Sequence, residues 1–524
     1  MRVPTTVPFF SVRDIYGKIQ IKTMGKYLKK FQNHNAYNAF TNTDGFIKPN
    51  VSLCVQENEV HYNPWTWAEE YLTTVALEDG TISFNIWQSM GTDMITSISY
   101  STDNGETWTT TNNVNNKEEH LVIDVDVEEG DKVMWKGIAT QMGYWDEDEY
   151  GDYVGSFFSS TCEFDAKGNI MSLLYGDNFK GETTIEEDGI FCWLFSDYNE
   201  EKTCGIVNAK DLPLPATTLA EGCYRGMFKN CTNLVTTPEL PATTLTNFCY
   251  SNMFNGCTSL ETAPELLATT LADYCYDSMF ERCSSLATAP ELPATTMAEY
   301  CYQYMFNGCT SLVTAPELPA TTMANSCYWY MFQGCTSLVT APELPATTLD
   351  GYCYDDMFRD CTNLTAAPEL PATTLAEHCY SNMFYGCTSL ATAPELPATT
   401  LANYCYSYMF EGCTSLVNTP ELPATTLTNW CYHSMFYGCT SLTTAPELPA
   451  TTLVQSCYCD MFYGCTSLNY IKAMFTTTPS SSYTNNWVSG VSATGTFVKN
   501  SAATWTTTGN NGVPRGWTVQ TTSA

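Results

Sequence analysis

From about Leu214 to Tyr470 the chain repeats one pattern of apolar and polar positions. Leu219, Cys223, Met227 and Cys231 lie four residues apart with Phe228 beside them, a spacing that predicts an apolar stripe on about three turns of helix. Thr217 or Thr218 can cap its start, and a glycine before the second cysteine, as at Gly256 and Gly308, suits its end. The L-x-T-A-P-E-L run after it has room only for a short extended strand. Two prolines per unit, such as Pro238 and Pro241, cannot donate to a ladder, so this strand is expected to be short or partly polyproline-like. The unit therefore reads strand, turn, helix, turn.

The unit recurs every 26 residues. L-P-A-T-T-L carries its proline at 215, 241, 293, 319, 345, 371, 397, 423 and 449, and Leu267 stands in the same frame. Ten such units cannot each bury an apolar face alone, but stacked they share one core, with ladders of identical residues. At a strand spacing of about 4.8 Å, the stack is expected to be a rod or arc of roughly 50 Å along that edge.

The flanks read differently. Alternating, turn-punctuated segments such as TISFNIW and HLVIDVDVEEG place a β-sandwich within 51–175. Residues 176–213 carry a worn repeat ending in DLPLPATTL, as an N-terminal solenoid cap would. After Tyr470 the pattern stops, and 471–524, rich in Thr, Ser and Gly, is expected to be a β-type C-terminal cap. The fold class expected is a mixed α/β, leucine-rich-repeat-like solenoid of ten 26-residue units in 214–470, preceded by an all-β sandwich and a short N-terminal attachment segment, 1–50.

The run M-F-x-G-C-T-S-L followed by a proline-containing strand resembles the BspA-like class of leucine-rich repeats, whose units read A-F-x-x-C-x-x-L-x-x-I-x-I-P. The resemblance covers about half of the 524 residues. This chain departs from the class in its longer unit, in Met for Ala before Phe, and in Ala-Pro-Glu where the class has branched aliphatics. The resemblance implies a surface or adhesion module and recognition rather than catalysis.

Charge refines this picture. Asp and Glu outnumber Lys and Arg by 56 to 22, for a net charge of -34, which excludes nucleic-acid binding by counterion release. Yet 1–50, with Arg2, Arg13, Lys18 and Lys22 among its cations, is about +6, leaving about -40 for the remainder. The start lacks the apolar core of a signal peptide and no stretch is long and apolar enough to span a membrane, so synthesis in a cytoplasm without membrane insertion is expected. Of the 25 cysteines, twenty belong to the repeat, eight residues apart within a unit. On a helix that is about 12 Å, beyond disulfide reach, so they read as buried thiols; zinc-like spacing occurs only at Cys457 and Cys459.

Candidate chemistry is sparse. Ser101, Asp103, Gly105 and Trp108 match the Asp-box hairpin S-x-D-x-G-x-x-W, which is structural. His34, His61, His120, His378 and His433 sit in unrelated contexts, and the last two read as surface residues. No catalytic residue, cofactor or metal centre is expected. Two acidic features are weighed as cation sites against simple solvated surfaces: the loop with Asp146, Asp148 and Asp152, and the column of Glu after each repeat proline, including Glu317, Glu343 and Glu369. Specificity is better sought where the units differ. The column two residues after the first cysteine holds Trp329 and His433; beside it lie Tyr304, Tyr330 and Tyr408, and before the glycine Tyr385, Tyr437 and Tyr463. Exposed aromatics among polar residues suit a glycan- or protein-binding face.

The layout, with S-V-R-D-I-Y-G-K-I near its start, also resembles fibre and decoration proteins of crAss-like phages of gut bacteria. That resemblance implies a non-enzymatic virion protein at the virion surface, docked by its N-terminus on capsid or tail proteins, dimeric or trimeric, and displaying its repeats to a host glycan or protein. The alternative is a bacterial adhesin exported by a signal-independent route.

Overall fold

A computed structural model describes residues 68–86, 95–112, 121–146, 152–196 and 204–522. The basic segment with Arg2, Arg13, Lys18 and Lys22, together with His34, His61, His120 and Asp148, lies outside them. The chain divides into two units, Met1–Thr66 and Trp67–Ala524, and the described residues all belong to the second.

The first part of that unit is rich in sheet. Strands β1 (Leu72–Ala76), β3 (Ile95–Ser101), β4 (Thr109–Asn112), β6 (Lys132–Ala139), β10 (Phe164–Lys167) and β11 (Ile206–Asp211) form one sheet in the order β11-β10-β1-β6-β3-β4. A second sheet orders β5 (Leu121–Val127), β2 (Gly80–Ile86) and β9 (Phe157–Ser160) as β5-β2-β9. Alternation is the cause: Ile123, Val125 and Val127 turn inward while Asp124 and Asp126 face water. The sheets meet through Phe84 and Phe158 of one and Trp135 of the other, at 6.1 and 5.3 Å between ring centroids. The Trp135 indole N–H, fully buried, donates to Thr74 Oγ1 at 3.1 Å. The Asp-box carboxylate fixes its turn, accepting from the Thr107 amide at 2.8 Å and the Ser101 hydroxyl at 2.7 Å, and Trp108 packs edge-on against Tyr71.

In the repeat region the expected helices are absent; the one α-helix among the described residues is α1 (Ser172–Tyr175). In place of each helix runs a chain of overlapping β-turns. In the unit around Cys249, the amides of Ser251, Met253, Asn255 and Cys257 each bond the carbonyl three residues back. The amides between them, of Phe248, Tyr250, Asn252, Phe254 and Gly256, bond carbonyls of the next unit at 2.7–3.1 Å. Every fourth residue takes a left-handed φ to allow this, 56° at Phe248, 57° at Asn252 and 76° at Gly256. A helix would satisfy all these amides internally; here half of them tie unit to unit. The coil repeats every four residues with two side chains in and two out, so Cys249, Met253 and Cys257 face the core, as do Tyr250 and Phe254.

The strand half is reduced to isolated parallel bridges such as Thr288↔Thr314 and Thr322↔Thr348, because the two prolines between the bridged positions of a unit, such as Pro316 and Pro319, interrupt any ladder. The core is a set of columns. Tyr224 begins a run of buried tyrosines through Tyr458, adjacent rings lying 5.7–6.0 Å apart and nearly parallel. A phenylalanine column at 5.4–5.8 Å runs beside it from Phe228 to Phe462. It reaches into the sheet-rich part through Phe195 and Phe158, stacked at 5.1 Å, so sheets and repeats share one core.

The rung bonding does not stop at Tyr470: Tyr458, Phe462 and Gly464 donate to Tyr483, Trp487 and Ser489. The end is closed by the parallel sheet β12 (Tyr470–Ala473), β13 (Thr496–Lys499) and β14 (Thr518–Thr521), and by Trp487, Trp505 and Trp517, whose indole N–H groups each reach a backbone carbonyl.

Candidate ligand-recognition face

The turn chain presents its outward pairs as columns along one side of the stack. The column two after the first cysteine is sunk rather than exposed: Ser251, Asp355, Ser381, Ser407, His433 and Cys459 are buried, and Arg225, Asp277, Gln303 and Trp329 are half-buried. The surface placement expected for His433 is therefore corrected. It is 8% exposed, its Nε2 lies 2.9 Å from the Tyr408 hydroxyl, and burial pulls its pKa down to about 4, leaving it neutral.

Two clusters take up six of the seven aromatic candidates, and the seventh, Tyr408, packs edge-on against His433 with ring centroids 4.9 Å apart. In the lower one Tyr304 and Tyr330 stack at 4.7 Å and Trp329 leans on both, at 5.9 and 5.1 Å. The Trp329 indole N–H and the Gln303 side-chain carbonyl are buried there without a hydrogen-bond partner. Tyr330 hydrogen-bonds Asp356, which also accepts from Arg359 at 2.9 Å. Asp355 lies beside Asp356. Burial raises both carboxyls, and Arg359 pulls Asp356 back, so Asp355 is the member that holds a proton.

In the upper cluster the Arg359 guanidinium stacks 4.3 Å from the Tyr385 ring, and Tyr437 and Tyr463 stack at 4.7 Å. Between Tyr385 and Tyr437 in the same column sits Glu411, which accepts from Tyr385 and is pushed up to about 7 by burial.

One further column is aromatic without having stood out along the chain. The residue before the first cysteine is aromatic in seven units, giving Phe248, Tyr274 and Tyr300, then Tyr352, His378, Tyr404 and Trp430, half-buried and stacked at 4.5–5.6 Å. The signal was present in the recurrence of aromatics at that position, but packed helices lie about 8–10 Å apart, too far for equivalent rings of neighbouring units to stack. At the break, Ser326 is buried and Trp329 reaches across to Tyr352 at 6.1 Å.

Glu317, Glu343 and Glu369 are exposed in a single file, and Lys472 closes the file on Glu447 at 2.9 Å. Asp146 and Asp152 are backbone partners in the hairpin of β7 (Gly143–Asp146) and β8 (Asp152–Gly155), and the intervening loop lies outside the described residues. Among the described residues no three His, Cys, Asp or Glu side chains are close enough to hold a metal ion.

The family model of the BspA type leucine rich repeat region matches in six copies, at residues 212–339, 274–417 and 352–489. Together these matches span more than half of the 524-residue chain. The chain belongs to the BspA-type leucine-rich repeat family. No curated protein matches it in sequence. In this BspA-type chain the cysteine and phenylalanine of the family pattern are the buried columns. The thiol of each second cysteine donates to a phenylalanine carbonyl one unit back, at 3.0–3.1 Å for Cys257 to Cys465. The aromatic and acidic residues that distinguish its units lie on the turn-chain face.

Proposed function

We propose that this BspA-type protein is a non-enzymatic recognition protein of a phage virion, a fibre or decoration protein whose ten-unit solenoid is displayed to a host-surface glycan or protein. The observation that carries recognition is the division of labour within a unit. Its buried columns are near-invariant, while Tyr304, Trp329, Tyr330, Tyr385, Tyr408, Tyr437 and Tyr463 vary the turn-chain face from unit to unit. Rings held in place by their neighbours offer contact area with little conformational entropy to lose. Docking is assigned to 1–50, the one basic stretch of a chain with net charge -34, and to symmetric dimers or trimers on the particle.

Two measurements test this. Removing residues 1–50 is expected to leave the repeats folded but absent from purified particles; unchanged incorporation would refute the docking role. A glycan array is expected to give hits that Tyr330→Ala and Tyr437→Ala weaken. The family match equally favours a second reading, a bacterial surface adhesin. Detection on bacterial cells and never in particles would select it.

A further inference from the structure

The upper cluster borders a bare strip of backbone. Position 256 and its equivalents form a lane of Gly386, Gly412, Gly438, Gly464 and Gly490, all at φ 71–80°. A Cβ placed at Gly412, Gly438 or Gly464 would meet only the preceding glycine's backbone, at 3.6–3.9 Å. Below, the Asp360 carboxylate lies over Gly386 and closes the lane. Lower in the stack Asn230, Arg282 and Asp360 interrupt Gly256, Gly308 and Gly334, so a run of five consecutive glycines exists only beside the upper cluster.

Along this lane stand Tyr385, Glu411, Tyr437 and Tyr463, with Tyr408 and Asp460 one column over and still within electrostatic reach of Glu411. A carboxylate among three tyrosines is an arrangement that attracts a cation, through its charge and through the negative faces of the rings. Among the described residues Arg359 already stacks on Tyr385 at 4.3 Å and acts on Glu411, but it is bonded to Asp356 at 2.9 Å and Asp360 at 3.7 Å, so Glu411 has no ion-pair partner of its own among them.

The lane itself has no free donor. The amides of Gly386, Gly412, Gly438 and Gly464 are consumed in bonds of 2.7–2.8 Å to the next unit. A peptide laid along it would find no backbone donors for its carbonyls, which can only accept, whereas each hydroxyl of a sugar chain can also donate.

We propose that Glu411, framed by Tyr385, Tyr408 and Tyr437 beside the glycine lane, binds the ammonium group of an amino-sugar polymer lying along Gly412–Gly464. This rests on the recognition reading above and names its ligand class. Glu411 supplies the charge, the tyrosines the cation–π contact and the edges on which sugar rings pack, and the bare backbone the room for a continuous chain.

The test is calorimetric titration of the full chain with a glucosamine hexamer, an N-acetylglucosamine hexamer and a lysine hexapeptide. The glucosamine hexamer is expected to bind at least tenfold tighter than the other two. Glu411→Gln, which mimics the protonated acid and should fold, is expected to erase that preference, and its thermal melt verifies folding. Equal affinity for both sugars, a preference that survives Glu411→Gln, or a lysine peptide that binds as tightly would each overturn the assignment. If array hits weakened by Tyr330→Ala persist while all three ligands fail, this inference falls and the recognition reading stands. If no ligand binds in either assay, both fall.

Discussion

Asp355 and Asp356 stand side by side in adjacent columns, and their carboxyls are buried with one guanidinium, Arg359, bonded to Asp356. A folded-state value raised above the unfolded carboxylate range near 3.9 means that the folded chain keeps a proton which the unfolded chain has released. That contribution to stability is full at low pH and is lost as pH rises through the folded value. Asp277, pushed up to about 6, and Glu411, at about 7, act in the same direction, both through burial. The protein is therefore expected to melt higher at about pH 5 than at about pH 8. Asp355→Asn should add about 1–3 kcal/mol at about pH 8 and less at about pH 5. Thermal melts of both proteins at the two pH values decide it, and a parent that melts identically at both would disprove the buried-proton account.

At the scale of one element, the turn chain depends on left-handed residues every fourth position and on columns packed without gaps. Gly438, at φ 71°, has space for a methyl group but not the conformation, so Gly438→Ala should cost about 1–2 kcal/mol, read by chemical denaturation. Phe332, fully buried between Phe306 and Phe358 at 5.6 Å, leaves a rung-sized void when shortened. Phe332→Ala should cost about 3–5 kcal/mol. The same burial pushes the thiols up, Cys249 to about 12, by desolvation. A native-state titration with a thiol reagent should leave the repeat cysteines unmodified until the chain is unfolded, since the thiolate is the reactive form. Rapid modification of the folded protein would show that the columns open.

For the whole described unit, sheets and repeats share one core through Phe158, Phe195 and Phe228, while each repeat bonds chiefly its neighbours. Such stacks are stable by sums of neighbour contacts, and their ends need covering. The tryptophans at 487, 505 and 517 cover the C-terminal end. Trp487→Ala, which removes a fully buried ring and its bond to Gly512, is expected to destabilise the last units first. Hydrogen exchange should show protection lost near residues 458–490 before the first units are affected; uniform loss would mean the stack unfolds as one.

The 26-residue period, the buried identity of Cys, Met, Phe and Leu, and the alternating strands of the first part were legible in residues alone, because burial imposes a recurring pattern wherever a core is shared. So was the scarcity of any strand around Pro238 and Pro241, since a missing N–H needs no context. The helix was not there to be found. Apolar residues at a strict spacing of four drift about 40° per step on a helix of 3.6 residues per turn, so the stripe pointed away from a helix, but only the neighbouring unit supplies the carbonyls that make a four-residue coil stable. The face followed the same rule. Tyr304, Tyr385 and Tyr437 could be picked as variable aromatics, but the sinking of His433 and the ladder from Phe248 to Trp430 depend on side chains 26 residues apart lying one rung from each other. Local sequence sets which residues are apolar; the partner of each unsatisfied amide is a tertiary choice, and here that choice decided the backbone.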